Sequence, residues 1–536
     1  MRANAAVQQA VEREAAPIRK DEARVGVVFV HGIGQQAESD AIREFGGHLL
    51  RWLREWHEAR GLPLEVERSV LSYGDRGEPP ARFSVRIPGG AAGPAQTWVF
   101  AEAWWAARLR APSFPRMVGW GWIVVTRVLQ RLADSAERNA TGHTERTRPA
   151  TERAIRLVSA LFLFIGYAAA MLVALPLILV LFVLAQLPGP FERIVLGIRL
   201  FVVEQIGDFY TFLHDDVQAL HIRSAVAYAI DYLVTKEECE RIVVMAHSQG
   251  SVVAFDALSA EKIAHIGAVS TLVTVGGALN NAFLLKSKRS TRLERELPPH
   301  IRWLDVWADY DPVSGGRLVR RGHPVRWEDL PILNELNVIT DHGAYFTNRE
   351  EFLSRLAQEI DSPADHRTSR FFPGEAAFAR WRDRRRDRVL AMVAWRLAAF
   401  VLFGYAMWQR LRPFDRLGAD GEAAWLWLGR LPVVGGVVDA LGGLARWIAL
   451  GPPATDVLAR VLGVAVWGIA YTLLFLALYV LVFTPWHESE GRRSVGPDAP
   501  PSRGQALAIA ITSALVLFGL TVGAATIADL PPLPRP

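Results

Sequence analysis

Three residues that together could activate a hydroxyl group occur along the chain in the order Ser248, Asp311 and His342. Each comes soon after a run of apolar residues that predicts a strand of a buried sheet. The carboxyl ends of parallel strands meet at one edge of such a sheet, so the three side chains could converge there. A serine hydroxyl becomes a nucleophile when an imidazole accepts its proton and a carboxylate orients that imidazole. The combination predicts acyl transfer, with Ser248 as nucleophile, His342 as base and Asp311 as acid.

The segment around Ser248 predicts a strand, a sharp turn and a helix. Apolar residues at 242–245 lead into the serine, and a helical pattern of apolar residues begins at Val252. Two small residues, Ala246 and Gly250, flank the serine and allow a strained turn with close packing of the helix on the strand. The helix would then point its free N–H groups at whatever is bound beside the serine.

This segment resembles the nucleophile elbow of the α/β-hydrolase family, with Ala246 where that family most often has glycine. A second segment, His31-Gly32-Ile33-Gly34, follows the apolar run 25–30 and resembles the family's oxyanion loop. The resemblance implies that the main-chain N–H groups of Ile33 and Gln249 bind the oxyanion. Three further residues are expected to support the loop and the turn: His31, Gly32 and Gly250.

The resemblance covers roughly residues 24–360 and implies an α/β fold, a mainly parallel sheet with helices on both faces. It also implies hydrolysis of an ester, thioester or amide through an acyl-enzyme, without a metal or an organic cofactor. Asp309, two residues before Asp311, is the alternative acid. His247 is expected to be structural, because its side chain in such an elbow would point away from Ser248.

The bulk composition indicates membrane segments. Hydrophobic residues make up 51% of the 536 residues and the mean hydropathy is +0.16, which is apolar for a soluble enzyme of this size. A net charge of +5 gives no argument for nucleic-acid binding. The single cysteine, Cys239, excludes an intrachain disulfide framework and cannot build a metal site alone. Residues 1–22 are polar and show no signal peptide.

Long apolar segments predict where the chain enters a membrane. Residues 157–190 contain no charged side chain and would span about 50 Å as one straight helix. If the hydrolase resemblance holds, the strands before and after them lie in one sheet, which excludes a single crossing. Two short spans bent near Pro176 or a re-entrant hairpin remain, and we favour the hairpin. Three further spans are expected at 389–408, 459–484 and 505–527, and the stretch 423–450 is ambiguous.

The predicted organisation has five parts. They are a polar lead (1–24), the first part of the α/β-hydrolase domain (25–74), an insertion that contains the membrane hairpin (75–208), the remainder of the hydrolase domain (209–379) and a C-terminal transmembrane domain (380–536). Basic residues before the hairpin and at 380–388 place the catalytic part of this integral membrane protein on the cytoplasmic side.

The sequence therefore predicts a membrane-anchored serine esterase or lipase with the bilayer and a lipophilic ester or thioester as partners. Two alternatives stay open. The same three residues could serve an acyltransferase or a protein depalmitoylase, and a catalytically inactive hydrolase fold could act as a membrane scaffold. The sequence decides neither the substrate nor the oligomeric state.

Overall fold

The computed structural model describes residues 22–106, 207–376 and 379, with short gaps. The gaps are 33–37, 63, 71–79, 91–92, 261–262, 287–291, 309–310, 312, 320–325, 335–340, 363 and 377–378. All described residues belong to one compact unit. No helix among them is both long and apolar enough to cross a membrane. The segments predicted to enter the membrane, 157–190 and those after 388, lie outside the described residues.

The described residues form one sheet of eight strands in the order β2-β3-β4-β1-β5-β6-β7-β8. Strands β2, β3 and β4 pair antiparallel, and all pairs from β4 to β8 are parallel. The bounds are β1 Ala23–Val30, β2 Glu65–Val70, β3 Arg82–Ile87, β4 Gln96–Glu102, β5 Arg241–His247, β6 Val269–Val275, β7 Arg302–Ala308 and β8 Trp327–Ile332. The fold is therefore α/β with a mostly parallel sheet.

Helices cover both faces of this sheet. Helices α1 and α5 pack on one face, and α2, α3 and α4 pack on the other. Among the described residues these helices are α1 Asp40–Glu58, α2 Asp216–Thr235, α3 Gln249–Leu258, α4 Leu279–Leu285 and α5 Ser354–Asp361. Because both faces are covered, the central strands are apolar on both sides, as the runs before His31 and His247 predicted.

Strand β1 lies at the centre of the sheet, between β4 and β5. Val28 is paired with Ala101 of β4 on one side and with Val244 of β5 on the other. The order of the parallel strands reverses at β1, and ligands of open α/β sheets bind beyond the carboxyl ends of the strands at such a point. The residues that follow β1 and β5 are those predicted for the oxyanion loop and the nucleophile.

The predicted elements agree with the structure where the hydrophobic pattern is strong. The helix expected at 41–60 is α1, and the strands expected at 64–73, 271–275 and 301–307 are β2, β6 and β7. The long helix expected at 209–234 is interrupted at Asp215. The Asp215 carboxylate accepts hydrogen bonds from the N–H groups of Val217 and Gln218 and so begins a new helix, α2.

Three strands were not predicted from the sequence. Strands β3 and β4 fall inside residues 75–208, which the sequence assigned to an insertion, yet β4 pairs with the central strand β1. The boundary at 75 is therefore wrong, and the sheet continues at least to Glu102. Strand β8, at Trp327–Ile332, is the outermost parallel strand, whereas the strand expected at 336–339 lies outside the described residues.

A buried ion network ties Arg24 of β1 and Arg82 of β3 to the turn after α2. The carboxylate of Glu237 lies 3.0 Å from Arg24 Nη2 and 2.8 Å from Arg82 Nε. Arg24 also donates through Nε to the Glu237 carbonyl. The network joins β1, β3 and the turn before β5, which are distant in sequence, and its carboxylate is screened from water.

We predict that Glu237→Ala lowers the free energy of unfolding by about 3 kcal/mol, because it leaves the buried guanidinium group of Arg82 and the half-buried one of Arg24 without their anion. Glu240→Ala is the matched control, since Glu240 lies three residues away and is exposed. Chemical denaturation of the full-length protein measures both. Equal effects of the two substitutions would contradict the assignment of Glu237 as the shared anion.

Candidate active site

Ser248 lies at the turn between β5 and α3 in a strained conformation. Its φ of 56° and ψ of −128° are rare for a residue with a side chain. The turn is held from three sides. The Ser248 N–H donates to the Val275 carbonyl at 3.0 Å, and the Ser248 carbonyl accepts from the N–H groups of Ser251 and Ala278, both at 3.1 Å. Because its main-chain groups are fixed to neighbouring elements, the serine keeps this conformation.

Two glycines allow the close approach of the segments around Ser248. A Cβ atom at Gly250 would lie 2.3 Å from the Val30 carbonyl oxygen and 2.4 Å from that of His31, so α3 passes directly over the end of β1. A Cβ atom at Gly32 would lie 2.8 Å from Ser248 Cβ. The structure thus places Gly250 and Gly32 in the supporting positions expected for them.

The side chains of Ser248, His342 and Asp311 form a continuous chain of hydrogen bonds. Ser248 Oγ lies 2.9 Å from His342 Nε2. On the other side of the ring, His342 Nδ1 lies 3.0 Å and 3.1 Å from the two carboxylate oxygens of Asp311. With Nδ1–H donating to the carboxylate, Nε2 carries a lone pair toward the hydroxyl and can accept its proton. The structure therefore brings together the three residues predicted to act as nucleophile, base and acid.

Asp311 is held ionised in a buried position. Burial by itself would raise its pKa, but the neighbouring His342 and the hydrogen bonds that Asp311 accepts outweigh burial, and the pKa lies below its ordinary value. The donors are His342, the Tyr345 hydroxyl at 2.8 Å and the Val313 N–H at 2.8 Å. The alternative acid Asp309 lies outside the described residues.

Tyr345 is a site residue that the sequence analysis did not single out. Its hydroxyl donates to Asp311 and accepts the Ala308 N–H at 2.9 Å, and its ring is fully buried. Tyr345 lies three residues after His342, and the short 3₁₀ helix at Ala344–Thr347 turns its side chain back toward Asp311. The spacing His-x-x-Tyr was visible in the sequence, but without the helical turn it had no evident meaning.

His247 contacts the base and not the nucleophile. Its ring stacks on the His342 ring with centroids 4.7 Å apart, and its Nε2–H donates to the His342 carbonyl at 3.1 Å. Burial, and then the proximity of His342, lower the pKa of His247 to about 3. His247 is therefore neutral at ordinary pH and supports the position of His342, which extends the structural role that the sequence suggested.

Both ring nitrogens of His31 form hydrogen bonds with main-chain groups of other residues. The Trp105 N–H donates to His31 Nε2 at 3.2 Å, so Nδ1 carries the proton and donates to the Gly32 carbonyl at 2.8 Å. The His31 ring stacks on the Trp105 ring with centroids 4.7 Å apart. Burial lowers the pKa of His31 to about 4. This neutral imidazole fixes the turn after β1 against the chain that leaves β4.

Of the two residues predicted to donate an N–H to the oxyanion, Gln249 lies among the described residues. Gln249 is the first residue of α3, and the first N–H groups of a helix have no acceptor within the helix. Its N–H is therefore suited to bind negative charge developing beside Ser248, at the positive end of the helix dipole. Ile33, the other predicted donor, lies outside the described residues.

We use the term catalytic edge for the edge of the sheet at the carboxyl ends of β4, β1, β5, β6, β7 and β8. Ser248, Asp311 and His342 lie along this edge. Within the described ranges, no cluster of three or more histidine, cysteine or acidic side chains has the arrangement of a metal site. The chemistry that the described side chains can carry out is proton transfer and nucleophilic attack by the serine.

Comparison with known proteins adds no assignment. The chain matches no protein-family model, and neither the curated proteins nor the solved structures compared with it gave a match. The arguments about function therefore rest on the residues and the geometry of this chain.

A second buried carboxyl group lies at the catalytic edge. Glu102 ends β4 opposite Phe29 and accepts the Ser39 N–H at 2.7 Å, at the start of α1. Burial raises its pKa to about 7, and the nearby carboxylates of Glu38 and Asp40 add to the rise. The folded protein therefore retains a proton on Glu102 at pH values where the unfolded chain has lost it.

This difference predicts a pH-dependent stability. The pKa of Glu102 rises from 4.5 in the unfolded chain to about 7 in the folded protein. The contribution of protonated Glu102 to the free energy of unfolding is therefore fully present below pH 4.5 and is lost as the pH rises through 7. Glu102→Gln, which stays neutral, should be more stable than the wild type at pH 8 by about 2–3 kcal/mol and nearly equal to it at pH 4.5. Denaturation of the full-length protein at both pH values measures the difference.

Glu58→Gln serves as the control for this prediction, because Glu58 is an exposed glutamate at the end of α1. It should change stability little at either pH. A Glu102→Gln variant whose advantage is the same at pH 4.5 and pH 8 would show that Glu102 does not titrate between those values in the folded protein.

Proposed function

We propose that this protein is a serine hydrolase that cleaves an ester or thioester of a lipophilic substrate through an acyl-enzyme. The observation that carries the proposal is the hydrogen-bonded chain from Ser248 through His342 to Asp311. The strained turn at Ser248 and the helix that begins at Gln249 support it, because they present a nucleophile and an oxyanion donor on the same side. The resemblance to the α/β-hydrolase elbow agrees with this chemistry.

In the first half of the proposed reaction, Ser248 Oγ attacks the substrate carbonyl carbon while His342 Nε2 takes the hydroxyl proton. The carbonyl oxygen becomes an oxyanion that accepts the Gln249 N–H. Asp311 stabilises the imidazolium that His342 has become. The tetrahedral intermediate then breaks its bond to the leaving alkoxide or thiolate, which receives the proton from Nε2, and the acyl group remains on Ser248.

In the second half, a water molecule replaces the leaving group. His342 Nε2 removes a proton from the water as its oxygen attacks the acyl carbon, and the second tetrahedral intermediate expels Ser248. The serine oxygen recovers its proton from Nε2, and a carboxylic acid is released. Both halves need only proton transfer and nucleophilic attack, so we propose no metal or organic cofactor for the reaction.

The lipophilic substrate is proposed from the sequence outside the described residues. The uncharged stretch 157–190 and the apolar segments after residue 388 are typical of chains that enter a bilayer. Basic residues beside them favour a cytoplasmic catalytic part. An enzyme held there would meet lipids and acylated proteins before water-soluble esters. If an alcohol or amine replaces water in the second half, the same residues act as an acyltransferase.

The proposal predicts covalent labelling of Ser248 by a fluorophosphonate probe, which reacts with activated serine hydroxyls. Wild-type protein should be labelled at Ser248, and Ser248→Ala should not be labelled. Ser259→Ala is the matched control, because Ser259 ends the same helix α3 and bonds only locally. Mass spectrometry of the labelled peptide identifies the site.

A folded wild-type protein that the probe does not label would contradict the proposal and would favour the inactive scaffold. Labelling at a serine other than Ser248 would contradict the assignment of the nucleophile. Product analysis with water and with a lipid alcohol as acceptors would distinguish a hydrolase from an acyltransferase.

We predict that Tyr345→Phe lowers kcat about tenfold and changes KM little, because it removes one hydrogen bond to the buried carboxylate that orients the base. The hydroxyl does not touch the nucleophile, so substrate binding should be retained. Steady-state kinetics with a short-chain ester measures both constants. Tyr228→Phe is the control, since Tyr228 is exposed on α2. An unchanged kcat would exclude a positioning role for Tyr345.

A further inference from the structure

The turn from β6 into α4 contacts both the nucleophile and the acid. The Ala278 N–H donates to the Ser248 carbonyl at 3.1 Å. Gly276 has a φ of 53°, and a Cβ atom there would lie 2.8 Å from Asp311 Oδ2, so no side chain fits between this turn and the carboxylate. We name residues 276–281 the α4 bridge, because they connect the turn of the nucleophile with the acid.

Asn280, the second residue of α4, is buried and binds the loop that follows the acid. Its Nδ2 lies 2.8 Å from the Ser314 carbonyl oxygen and 3.1 Å from the carbonyl oxygens of both Gly316 and Arg317. Its Oδ1 accepts the Val319 N–H at 3.0 Å. The donor end and the acceptor end of this carboxamide are therefore both bound to one loop.

Residues 313–319, which we name the acid loop, are also bonded to Asp311. The Gly315 N–H donates to the Asp311 carbonyl at 3.1 Å, and the Val313 N–H donates to the Asp311 carboxylate at 2.8 Å. Asn281 adds a second contact from α4, since its Nδ2 donates to the Val313 carbonyl at 2.9 Å. The main chain beside the buried carboxylate is thus fixed to α4 by side chains of two successive asparagines.

We infer that Asn280 is a positioning residue, which acts through the acid loop to hold Asp311 at hydrogen-bond distance from His342. This role rests on the proposed function. The α4 bridge is bonded to the turn of Ser248 at one end and to the acid loop at the other, so it sets the separation of nucleophile and acid. A displaced Asp311 would turn the His342 ring away from the hydroxyl that it must deprotonate.

The first experiment replaces the carboxamide by an apolar group of similar shape. Asn280→Leu removes all hydrogen bonds of this side chain and keeps nearly the same volume. In the full-length protein it should lower kcat for p-nitrophenyl butyrate about tenfold and change KM less than about twofold. The value of KM should be retained because the carboxamide is bound to the acid loop and is not available to the ester.

Gln358→Met is the matched control. Gln358 also has a buried carboxamide, whose Nε2 donates to Ser354 Oγ at 3.0 Å and to the Phe371 carbonyl at 3.3 Å. It belongs to α5, which packs on the opposite face of the sheet from α4. Its kcat should stay near that of the wild type. Equal losses of kcat in the two variants would contradict the inferred role, because any buried carboxamide would then have the same effect.

The second experiment tests whether Asn280 acts through Asp311. In a double-mutant cycle with Asp311→Asn, Asn280→Leu should have no further effect on kcat, since the carboxylate that it positions has already been replaced. A Ser248→Ala preparation supplies the background rate to subtract. The same loss of kcat with and without the carboxylate would overturn the inference, as would an unchanged kcat of Asn280→Leu alone.

Asn281→Ala is a milder variant of the same contact. It removes one hydrogen bond to the acid loop from a half-buried side chain and should lower kcat about threefold. If Asn280→Leu does not fold, this variant carries the test, and an unchanged kcat of Asn281→Ala then refutes the positioning role.

Fluorophosphonate labelling of Ser248 separates this inference from the proposed function. A labelled, active wild type together with an unaffected Asn280→Leu would refute the role of Asn280 and leave the hydrolase standing. A folded wild type that is neither labelled nor active would refute the hydrolase. Hydrogen exchange then decides the structural contact by itself. Faster exchange of the Gly315 N–H in Asn280→Leu, but not in Gln358→Met, would support it, and unchanged exchange would exclude it.

Discussion

The close packing of α3 on the end of β1 is the constraint on which the rest of the site depends. There is no room for a side chain at Gly250, so the helix can begin immediately after Ser248 and next to the loop that follows β1. The serine must then adopt a positive φ, and its main-chain bonds to β6 and to the start of α4 keep it there. The hydroxyl and the N-terminus of α3 face the same volume because one turn positions both.

The base and the acid are positioned by a second layer of contacts. His342 is held from one side by Asp311 and from the other by the stacked ring of His247, while Tyr345 fixes the carboxylate. Burial lowers the pKa of His247, whereas by itself it would raise the pKa of Asp311. It keeps His247 neutral, whereas at Asp311 it is outweighed by the neighbouring His342 and by the hydrogen bonds that the carboxylate accepts. Asp311, the charged member of the group, accepts hydrogen bonds from His342, Tyr345 and the Val313 N–H.

The sequence predicted the elements with strong patterns and missed those without. Strands β1 and β5 are continuous apolar runs, and the small-x-Ser-x-Gly spacing indicated the turn at Ser248. Strand β3, with Arg82, Ser84 and Arg86, and strand β8, with Glu328, Asp329 and Pro331, have no such run. Their partners are the neighbouring strands β2, β4 and β7, but charged residues and a proline interrupt the apolar character of both segments, so pairing in the sheet identifies them as strands. Tyr345 and Glu102 were not predicted for a different reason, because each depends on a contact between segments that are distant along the chain.

The position of β1 also has a consequence for synthesis of the protein. One side of β1 can pair with β4 once residue 102 has been made, but the other side has to wait for β5, which ends at residue 247. At ordinary translation rates this interval is about 10 s, which is long for an apolar strand with free main-chain groups. During that time β1 has an unpaired edge, whose free N–H and C=O groups can pair with another chain. Chaperone capture of the nascent chain would have its greatest effect in this interval.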